Sequence, residues 1–543
     1  MLKVWTAAAT AALLALACGP ASAPAPGAGA PSEPKQGGTL RVRSTTDPSD
    51  WDLSYTGKNT PNGYAMLFAY NTLLGYKAGP DVPYNDGVLE PELAERWEVA
   101  PDARTFTFHT RPGVRFANVP PLNGRALTAA DVKWSYEYWS RTGEFKEKKL
   151  PVGQFEWMYE GIDRIDTPDP STLVVRFTQP SIPFLRYTAA DHNPVVPREI
   201  YDRDGHLKNA IAGSGPYQLD AGASQAGSRW VWKKNPDYWE PGKPYIAEVH
   251  NLIIPEDGTA YSAFQTKQID ILGAGGTNIR LAQSKDIERA NPGAVKYEFE
   301  SAFPQDFFLR VDKPPLDDPR VRRAISLSID REEFMKVFQE GRGSLQVPGV
   351  YLGYFTQEET RQLQPYDPEG AKRLLAEAGY ANGLEFEFTY PGNLYGDAYL
   401  SQMQLLQAQL RKTNIRLVFK NVDAQTYISN RREGNFHINL LSGGDAKYDV
   451  DFPLTKFHAR ARSNYYGVKD PELTALIERQ RGEVDAAKRR DLIRQIGRTI
   501  VDKAYGVGMY SQVGYYFWHT HLKNYAPNWN ISSWPITNSW LDR

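Results

Sequence analysis

The sequence is poor in features that mark many enzymes and nucleic-acid-binding proteins. It has one cysteine in 543 residues, which excludes an intramolecular disulfide and a cysteine-based metal cluster. Lys and Arg number 63 against 64 Asp and Glu, so no net basic charge favours nucleic acid or anionic lipid. The patterns GxSxG, HExxH and GxxxxGKS/T are absent. We therefore expect no enzyme activity, no cofactor and no nucleic-acid partner.

The single cysteine, Cys18, follows a short apolar segment. Residues 4–17 are an apolar stretch of 14 residues, which is too short to span a bilayer comfortably, and Lys3 precedes them. A basic start, a short apolar stretch and small residues before a cleavage site indicate a secretory signal. The sequence LALAC at 14–18 resembles a bacterial lipobox, in which the cysteine becomes the lipid-modified first residue. We expect a lipoprotein signal peptide at 1–17 and lipidation at Cys18; the alternative is a plain signal peptide that contains a cysteine.

A tether follows the cysteine. Residues 19–38 contain five prolines and no Val, Ile, Leu, Phe, Trp or Tyr, so this stretch cannot bury a core. Proline-rich chain is stiff and extends by about 3.1 Å per residue, so residues 18–37 span up to roughly 60 Å. We expect this tether to hold a globular body away from a membrane surface to which lipid anchors it.

The rest of the chain predicts an α/β fold. Residues 105–109 (TFTFH) alternate as a half-buried strand does. Asp330 and Asp367 each precede a segment with helical periodicity and are typical N-terminal caps, and Asp317-Asp318 indicate a turn before a helix that contains Arg320. A strand at 384–390, a helix at 399–412 and a strand at 415–422 follow one another at α/β spacing.

Several motifs occur in a fixed order along the chain. They are LAERWEV (93–99), TFTFHTRPGVRF (105–116), NGRALTAADV (123–132), GSGPY (213–217), NPDYW (235–239) and DPRVRRAI (318–325). Together they resemble the family 5 extracellular solute-binding proteins of ABC importers, the oligopeptide- and dipeptide-binding group. The resemblance covers roughly residues 38–543.

The resemblance implies a two-lobe periplasmic-binding-protein fold of class II, cluster C type. Lobe 1 is expected at 38–268 with an extra subdomain at about 60–185, lobe 2 at 269–507, and a return to lobe 1 at 508–543. The two crossings between the lobes are expected near residues 268–272 and 506–510. A solute bound in the cleft between the lobes would be buried as the hinge closes.

The resemblance also implies a candidate ligand-binding carboxylate. Peptide-binding members use an aspartate after a buried strand of the second lobe to bind the peptide's α-ammonium, and Asp445 matches it best. A desolvated ammonium needs a charge-assisted partner of this kind. The match is imperfect, because Ser442-Gly443 occupies the place where an aromatic often lies. The alternatives are therefore Asp449, Asp451, or none of these carboxylates, with Asp445 in a surface turn.

Aromatic side chains and two histidines are the other candidates for ligand contact. Phe155 and Trp157 in the extra subdomain, and Tyr448 beside Asp445, are candidates for stacking on a solute. His519 and His521 alternate along a predicted strand and point the same way, which permits a metal site, although the sequence offers no third ligand nearby. We expect no metal; core or surface positions are the alternative for the aromatic residues.

These observations favour a lipid-anchored, monomeric receptor. It would capture a peptide or similar small polar solute and deliver it to a membrane permease with its ATPase, in the bacterial cell envelope facing the periplasm or the exterior. The alternatives are a receptor for a nickel or other metal complex, one for a sugar or opine-type solute, and an envelope sensor lipoprotein of the same fold.

Overall fold

Local sequence signals set the starts of several helices. The computed structural model describes residues 33–48, 50–52, 67–151, 156–273, 279–301, 305–441, 449–529 and 534–543. Asp330 and Asp367 each accept a hydrogen bond from a backbone N–H of the helical turn that follows, so these predicted helix starts are confirmed. Asp318, predicted in a turn before the Arg320 helix, caps the helix Pro319–Leu327 in the same way. The helix predicted at 399–412 begins earlier, at Gly392, and ends at Arg411.

The first part of the chain builds what we call the first lobe, residues 33–301 and 512–543. One sheet places Thr39–Ser44 beside Glu248–Ile253 in parallel and adds two antiparallel strands. A second sheet places Val513–His519 between Ile271–Leu272 and Ala294–Glu300. The two antiparallel strands of the first sheet are Arg229–Lys234 and Tyr217–Leu219. Two further pairs of strands join Leu74–Tyr76 to Leu89–Pro91 and Leu522–Lys523 to Trp540–Leu541. Apart from the helices that contact the sheet of the subdomain, described next, the first lobe has the helices Phe184–Tyr187, Arg198–Asp204, Asp257–Gln265, Leu281–Ala290 and Trp534–Thr537.

A four-stranded antiparallel sheet forms the subdomain of the first lobe. The predicted strand at 105–109 is confirmed, since Thr105–Thr110 buries every second side chain. It lies between two neighbours, and the order is Ala94–Val99, Thr105–Thr110, Thr172–Phe177, Ile162–Asp169. Helix Ala129–Ser140 contacts this sheet, and the short 3-10 helices Gly143–Phe145 and Glu156–Tyr159 contact that helix.

The GSGPY motif marks a close approach of two backbone segments. A Cβ at Gly215 would lie 2.4 Å from the carbonyl carbon of Ala69 and 2.5 Å from the backbone N of Tyr70. Gly215 N also donates to Ala69 O at 2.9 Å. Only glycine fits this contact, because real Cβ atoms do not approach backbone so closely.

Residues 305–509 form what we call the second lobe. Its central sheet places Asp306–Leu309 between Ile438–Leu441 and Gly506–Gly508, and a parallel pair joins Leu384–Tyr390 to Ile415–Asn421. Two apolar cores lie within this lobe. Its helices are Pro319–Leu327, Arg331–Gln339, Gln357–Leu363, Pro368–Glu377, Gly392–Arg411, Ala424–Glu433, Asp451–Thr455, Pro471–Gly482 and Ala486–Asp502.

Two passes of the chain connect the lobes, and they lie side by side. Ser301 N donates to Gln512 O and Met509 N donates to Gln305 O, each at 2.8 Å. Residues 268–272, where the first crossing is predicted, include the strand Ile271–Leu272, which belongs to a sheet of the first lobe. We propose that the paired passes are the hinge, which places the first crossing after Glu300 rather than at 268–272. The other predicted domain limits stay predictions.

The helices of both lobes are short or amphipathic. Among the described residues, no helix combines the length and the apolar character that crossing a membrane requires.

Candidate functional site

The two lobes meet where the subdomain of the first lobe contacts residues 449–489 of the second. Ile182 N donates to Arg481 O at 2.8 Å, a backbone hydrogen bond between the lobes. The helix Phe184–Tyr187 follows at once and directs Arg186 and Tyr187 towards Asp449 and Asp451. This short helix of the first lobe thus places the side chains of Arg186 and Tyr187 against the second lobe.

Asp449 is the most heavily bonded carboxylate at this junction. Its side chain is 2% exposed, and Arg489 donates to both of its oxygens, at 2.5 and 3.0 Å. Asp451 N donates to Oδ1 at 2.8 Å, and Nε of Arg186 from the first lobe lies 3.6 Å from Oδ2. Burial acts to raise the pKa of Asp449, but the attraction of Arg489 outweighs it and holds this pKa below its ordinary value. Asp449 is therefore an anion held by arginine.

Asp451 is bound in a similar way. Its Oδ1 accepts from Nε of Arg481 at 2.7 Å and from the side-chain amide of Gln480 at 2.5 Å. The hydroxyl of Tyr187, across the junction, lies 3.5 Å from Oδ2. Arginines of the second lobe thus neutralise both aspartates that the sequence offers as alternatives to Asp445.

Trp157 lies in this junction between the lobes. Its ring stacks on Phe452 of the second lobe with centroids 4.3 Å apart, and it meets the edge of Tyr187 at 5.3 Å. Trp157 thus contacts protein rings from both lobes. Its assignment as a ligand contact stays a prediction. Phe155, Asp445, Tyr448 and Cys18 lie outside the described residues, and their roles stay predictions as well.

A cavity opens beside this junction, with walls from both lobes. It encloses about 600 Å³, open solvent at its mouth included. The first lobe contributes Asn85, Gly87, Arg186 and Trp529, and the second lobe contributes Tyr351, Leu352, Tyr354, Asp449, Val450 and Arg489. Aromatic rings and a few converging polar groups are typical of a small-molecule site.

The histidine pair is engaged within the first lobe. Nε2 of His519 lies 3.0 Å from the carbonyl O of Phe264, and Nε2 of His521 lies 2.9 Å from Oδ1 of Asp270. Burial lowers the pKa of both histidines, which favours the neutral form of each ring. Within the described residues, no group of three or more His, Cys, Asp or Glu side chains could hold a metal ion.

Sequence analysis did not identify Arg186 and Arg489 as site residues. Arg489 lies on the helix Ala486–Asp502, whose charged face is typical of a solvated surface helix. Arg186 lies in a turn of four helical residues that has no motif. The pairing partner Asp449 is 263 residues away from Arg186 in sequence (449 − 186), and no local signal predicts a contact over that distance.

A second buried carboxylate, Asp306, begins the central strand of the second lobe. It is 3% exposed, and its Oδ2 accepts from Gly349 N at 3.0 Å. Burial raises the pKa of Asp306 to about 7.

We expect Asp306→Asn to stabilise the protein above neutral pH. The folded-state pKa of about 7 exceeds the unfolded value of about 3.9, so the folded state binds more protons between these pH values. Wild-type stability therefore falls as pH rises through this window, and the amide avoids that loss, which the difference of about 3 pKa units sets at about 4 kcal/mol at pH 8. Urea unfolding at pH 4 and pH 8 measures the difference. An equal effect of the substitution at both pH values would contradict this prediction.

Comparison with known proteins gives consistent matches. Residues 88–465 match the model of the bacterial extracellular solute-binding proteins, family 5 Middle. The Dipeptide-binding protein of Escherichia coli (strain K12) is 27% identical over 484 residues, 83% of this chain and 88% of that protein.

Two solved structures have a similar fold. The ABC transporter-associated periplasmic binding protein DppA from Helicobacter pylori, in complex with peptide STSA, has a TM-score of 0.75 at 22% identity, covering 94% of this chain and 99% of that one. The PBP AgaA in complex with agropinic acid, from A. tumefacien R10, has a TM-score of 0.73 at 23% identity, covering 93% and 99%. These likenesses confirm the predicted α/β two-lobe fold.

Proposed function

Because the chain belongs to the bacterial extracellular solute-binding proteins, family 5, which are receptors of ABC importers, we propose that it captures a peptide or similar small polar solute between its lobes. It then delivers this solute to a membrane permease with its ATPase. The family consists of binding proteins, in line with the expected lack of enzyme activity.

The cavity shared by the two lobes is the observation that carries this proposal. Its walls come from both sides of the hinge, so a solute bound there contacts both lobes and favours the closed arrangement. A ligand shifts such an equilibrium only by its differential affinity for the two states, and a change from 1:99 to 99:1 requires about a 10⁴-fold preference. A cavity within one lobe would not couple binding to closure.

The peptide assignment is supported by the relatives. The Dipeptide-binding protein of Escherichia coli covers most of this chain, and the Helicobacter pylori protein holds a peptide. The A. tumefacien protein holds agropinic acid, so an opine-type acid is the second candidate.

We also propose that Cys18 carries the lipid anchor and that the protein acts as a monomer. The lipobox-like sequence LALAC before the tether supports the lipid anchor. The lipid anchor places the body in the cell envelope, at the end of a tether that faces the periplasm or the exterior.

Native mass spectrometry of the full chain, purified from membranes, tests these proposals together. We expect a co-purified solute of small mass, a monomer, and an acyl mass at Cys18. Small-angle scattering should show the radius of gyration shrinking when that solute is added back, and the solute should be recovered unchanged. Chemical turnover of the solute, or binding without any change in scattering, would contradict the receptor proposal. A Cys18 without acyl mass would contradict the anchor alone.

A further inference from the structure

Two contacts between the lobes are made by the protein alone. The backbone N–H of Ile182, in the first lobe, donates to the carbonyl O of Arg481 at 2.8 Å. The ring of Trp157 stacks on that of Phe452 with centroids 4.3 Å apart and 27° between the ring planes. The described lining of the cavity includes none of these four residues. The contacts therefore join the lobes without the help of a solute.

The indole of Trp157 is positioned by its own lobe. Trp157 lies on a short 3-10 helix, and its ring meets the edge of Tyr187 at a centroid distance of 5.3 Å with 82° between the planes. The rings of Trp157 and Phe452 are both partly buried when the lobes are together. Opening of the lobes would expose the two stacked faces to water, so the stack favours the closed arrangement.

The second lobe presents its half of these contacts on one hydrogen-bonded unit. Phe452 follows Asp451 in a short helix. Oδ1 of Asp451 accepts hydrogen bonds from Nε of Arg481 at 2.7 Å and from the side-chain amide of Gln480 at 2.5 Å. The carbonyl group of this same Arg481 is the acceptor for Ile182. Because the stack and the backbone hydrogen bond share one support, we expect them to form and break together.

A glycine lets the two backbones approach at this point. A Cβ at Gly482 would lie 3.2 Å from Cβ of Pro180, which is closer than nine in ten real Cβ contacts. The side chain of proline is a ring fixed to the backbone, so it has little freedom to move away. The lack of a side chain at Gly482 therefore leaves room for residues 180–182 beside the carbonyl group of Arg481.

We propose that Trp157, Phe452, Ile182 and Arg481 form a latch that stabilises the closed arrangement of the empty protein. The inference goes beyond the capture of a solute, because it assigns part of the free energy of closure to the protein itself. Where the lobes exchange between open and closed arrangements, the latch raises the closed fraction. The apparent affinity for a solute that binds the closed arrangement rises with that fraction, whatever the solute is.

Hydrogen exchange resolved at single amides tests the latch on the full chain after bound solute has been removed. The N–H of Ile182 bonds across the junction, whereas the neighbouring N–H of Ser181 donates to Ala103 O within the first lobe at 2.9 Å. Opening of the lobes therefore exposes the amide of Ile182 but not that of Ser181. We expect Trp157→Ala to speed exchange at Ile182 about two- to tenfold, the contribution of one aromatic pair, and to leave Ser181 unchanged.

Phe452→Ala removes the same stack from the side of the second lobe. It should speed exchange at Ile182 by a similar factor, and adding Trp157→Ala should have little further effect because both changes remove one interaction. Trp230→Ala is the matched control, since it deletes an indole whose ring contacts lie within the first lobe, and it should leave this exchange unchanged. Unchanged exchange at Ile182 in both stack variants would overturn the latch. Equal acceleration at Ile182 and Ser181 would overturn it too, because it would indicate local loosening.

Calorimetry and scattering with trialanine separate the latch from contact with the solute. The latch alters only the closed fraction, so Trp157→Ala and Phe452→Ala should weaken trialanine binding equally, by no more than the acceleration at Ile182. Both should enlarge the decrease in radius of gyration on adding trialanine. If Trp157 contacts the solute instead, Trp157→Ala alone weakens binding and exchange at Ile182 stays unchanged, which would overturn the latch. If trialanine does not bind, peptide capture is wrong, and exchange at Ile182 still decides on the latch.

Discussion

Asp449→Asn should lower the free energy of unfolding by about 3–5 kcal/mol at pH 7. The substitution keeps the shape of the side chain but removes its charge, and it leaves the guanidinium of Arg489, 14% exposed, without its bidentate partner. The loss of one member of a buried ion pair costs more than the pair contributes, because the remaining charge stays desolvated. Chemical denaturation followed by circular dichroism measures the change.

The pH dependence of this effect has a definite sign. The folded-state pKa of Asp449 is below its ordinary value, so its contribution is complete above the unfolded pKa of about 3.9. It is lost as pH falls through the folded pKa. Wild type and Asp449→Asn should therefore converge in strong acid, the opposite of the behaviour expected for Asp306→Asn.

Two further variants test the cause. Glu472→Gln makes the same chemical change at a side chain that is 87% exposed and 3.8 Å from Lys503, and it should alter stability by less than about 0.5 kcal/mol. Adding Arg489→Met to Asp449→Asn removes the unpaired charge and should recover at least half of the loss. A double variant with the summed losses of both single changes would show that the ion pair is not the cause.

Asp445→Asn should weaken the binding of a peptide with a free ammonium by a hundred- to a few thousandfold. The reason is again an unpaired charge that stays desolvated, in this case the ammonium of the ligand. Burying that ammonium in a closed, dry cleft without a carboxylate partner costs on the order of 3–5 kcal/mol of binding free energy. Asp449 and Asp451 are each held by an arginine, which leaves Asp445 as the candidate among the three aspartates of this stretch.

A four-way cycle separates this role from general damage. Calorimetry on wild type and Asp445→Asn, each with trialanine and N-acetyl-trialanine, measures the coupling between carboxylate and amine. N-acetylation should weaken wild-type binding as strongly as the substitution does, yet add little further loss in the variant. Additive losses would mean that Asp445 and the amine do not meet, and the solute should then be sought among opine-type acids, sugars or metal complexes.

Local signals account for the parts of the fold that the sequence predicts well. The capping aspartates Asp318, Asp330 and Asp367 act within one helical turn, and the alternation of Thr105–Thr110 is a property of a single strand. The two-lobe arrangement was predicted from the resemblance that the family motifs carry, not from local signals. One of those motifs, GSGPY, marks the contact of Gly215 with residues 68–70 within the first lobe.

The candidate site depends on contacts between segments far apart in sequence, which is why it was predicted only in part. Asp449 and Asp451 were identified as alternatives, but their partners Arg489 and Arg481 follow 40 and 30 residues later. The stacking of Trp157 on Phe452 joins the two lobes and follows no periodicity. Such pairs depend on how the two folded lobes meet. Neither the composition of the sequence nor the spacing of its residues predicts those contacts.

The two ends of the first lobe are fastened to each other, and this has a mechanical consequence. Nζ of Lys35 lies 2.5 Å from Oδ1 of Asp542. The buried carboxylate of Asp270 accepts hydrogen bonds from the backbone N of Arg41 and from Nη2 of Arg543. A pull applied through the chain before residue 35 is therefore borne within the first lobe. The second lobe is inserted between residues 301 and 512 and carries none of that load. A molecule held at its amino-terminal end would keep its first lobe still and leave the second lobe to swing.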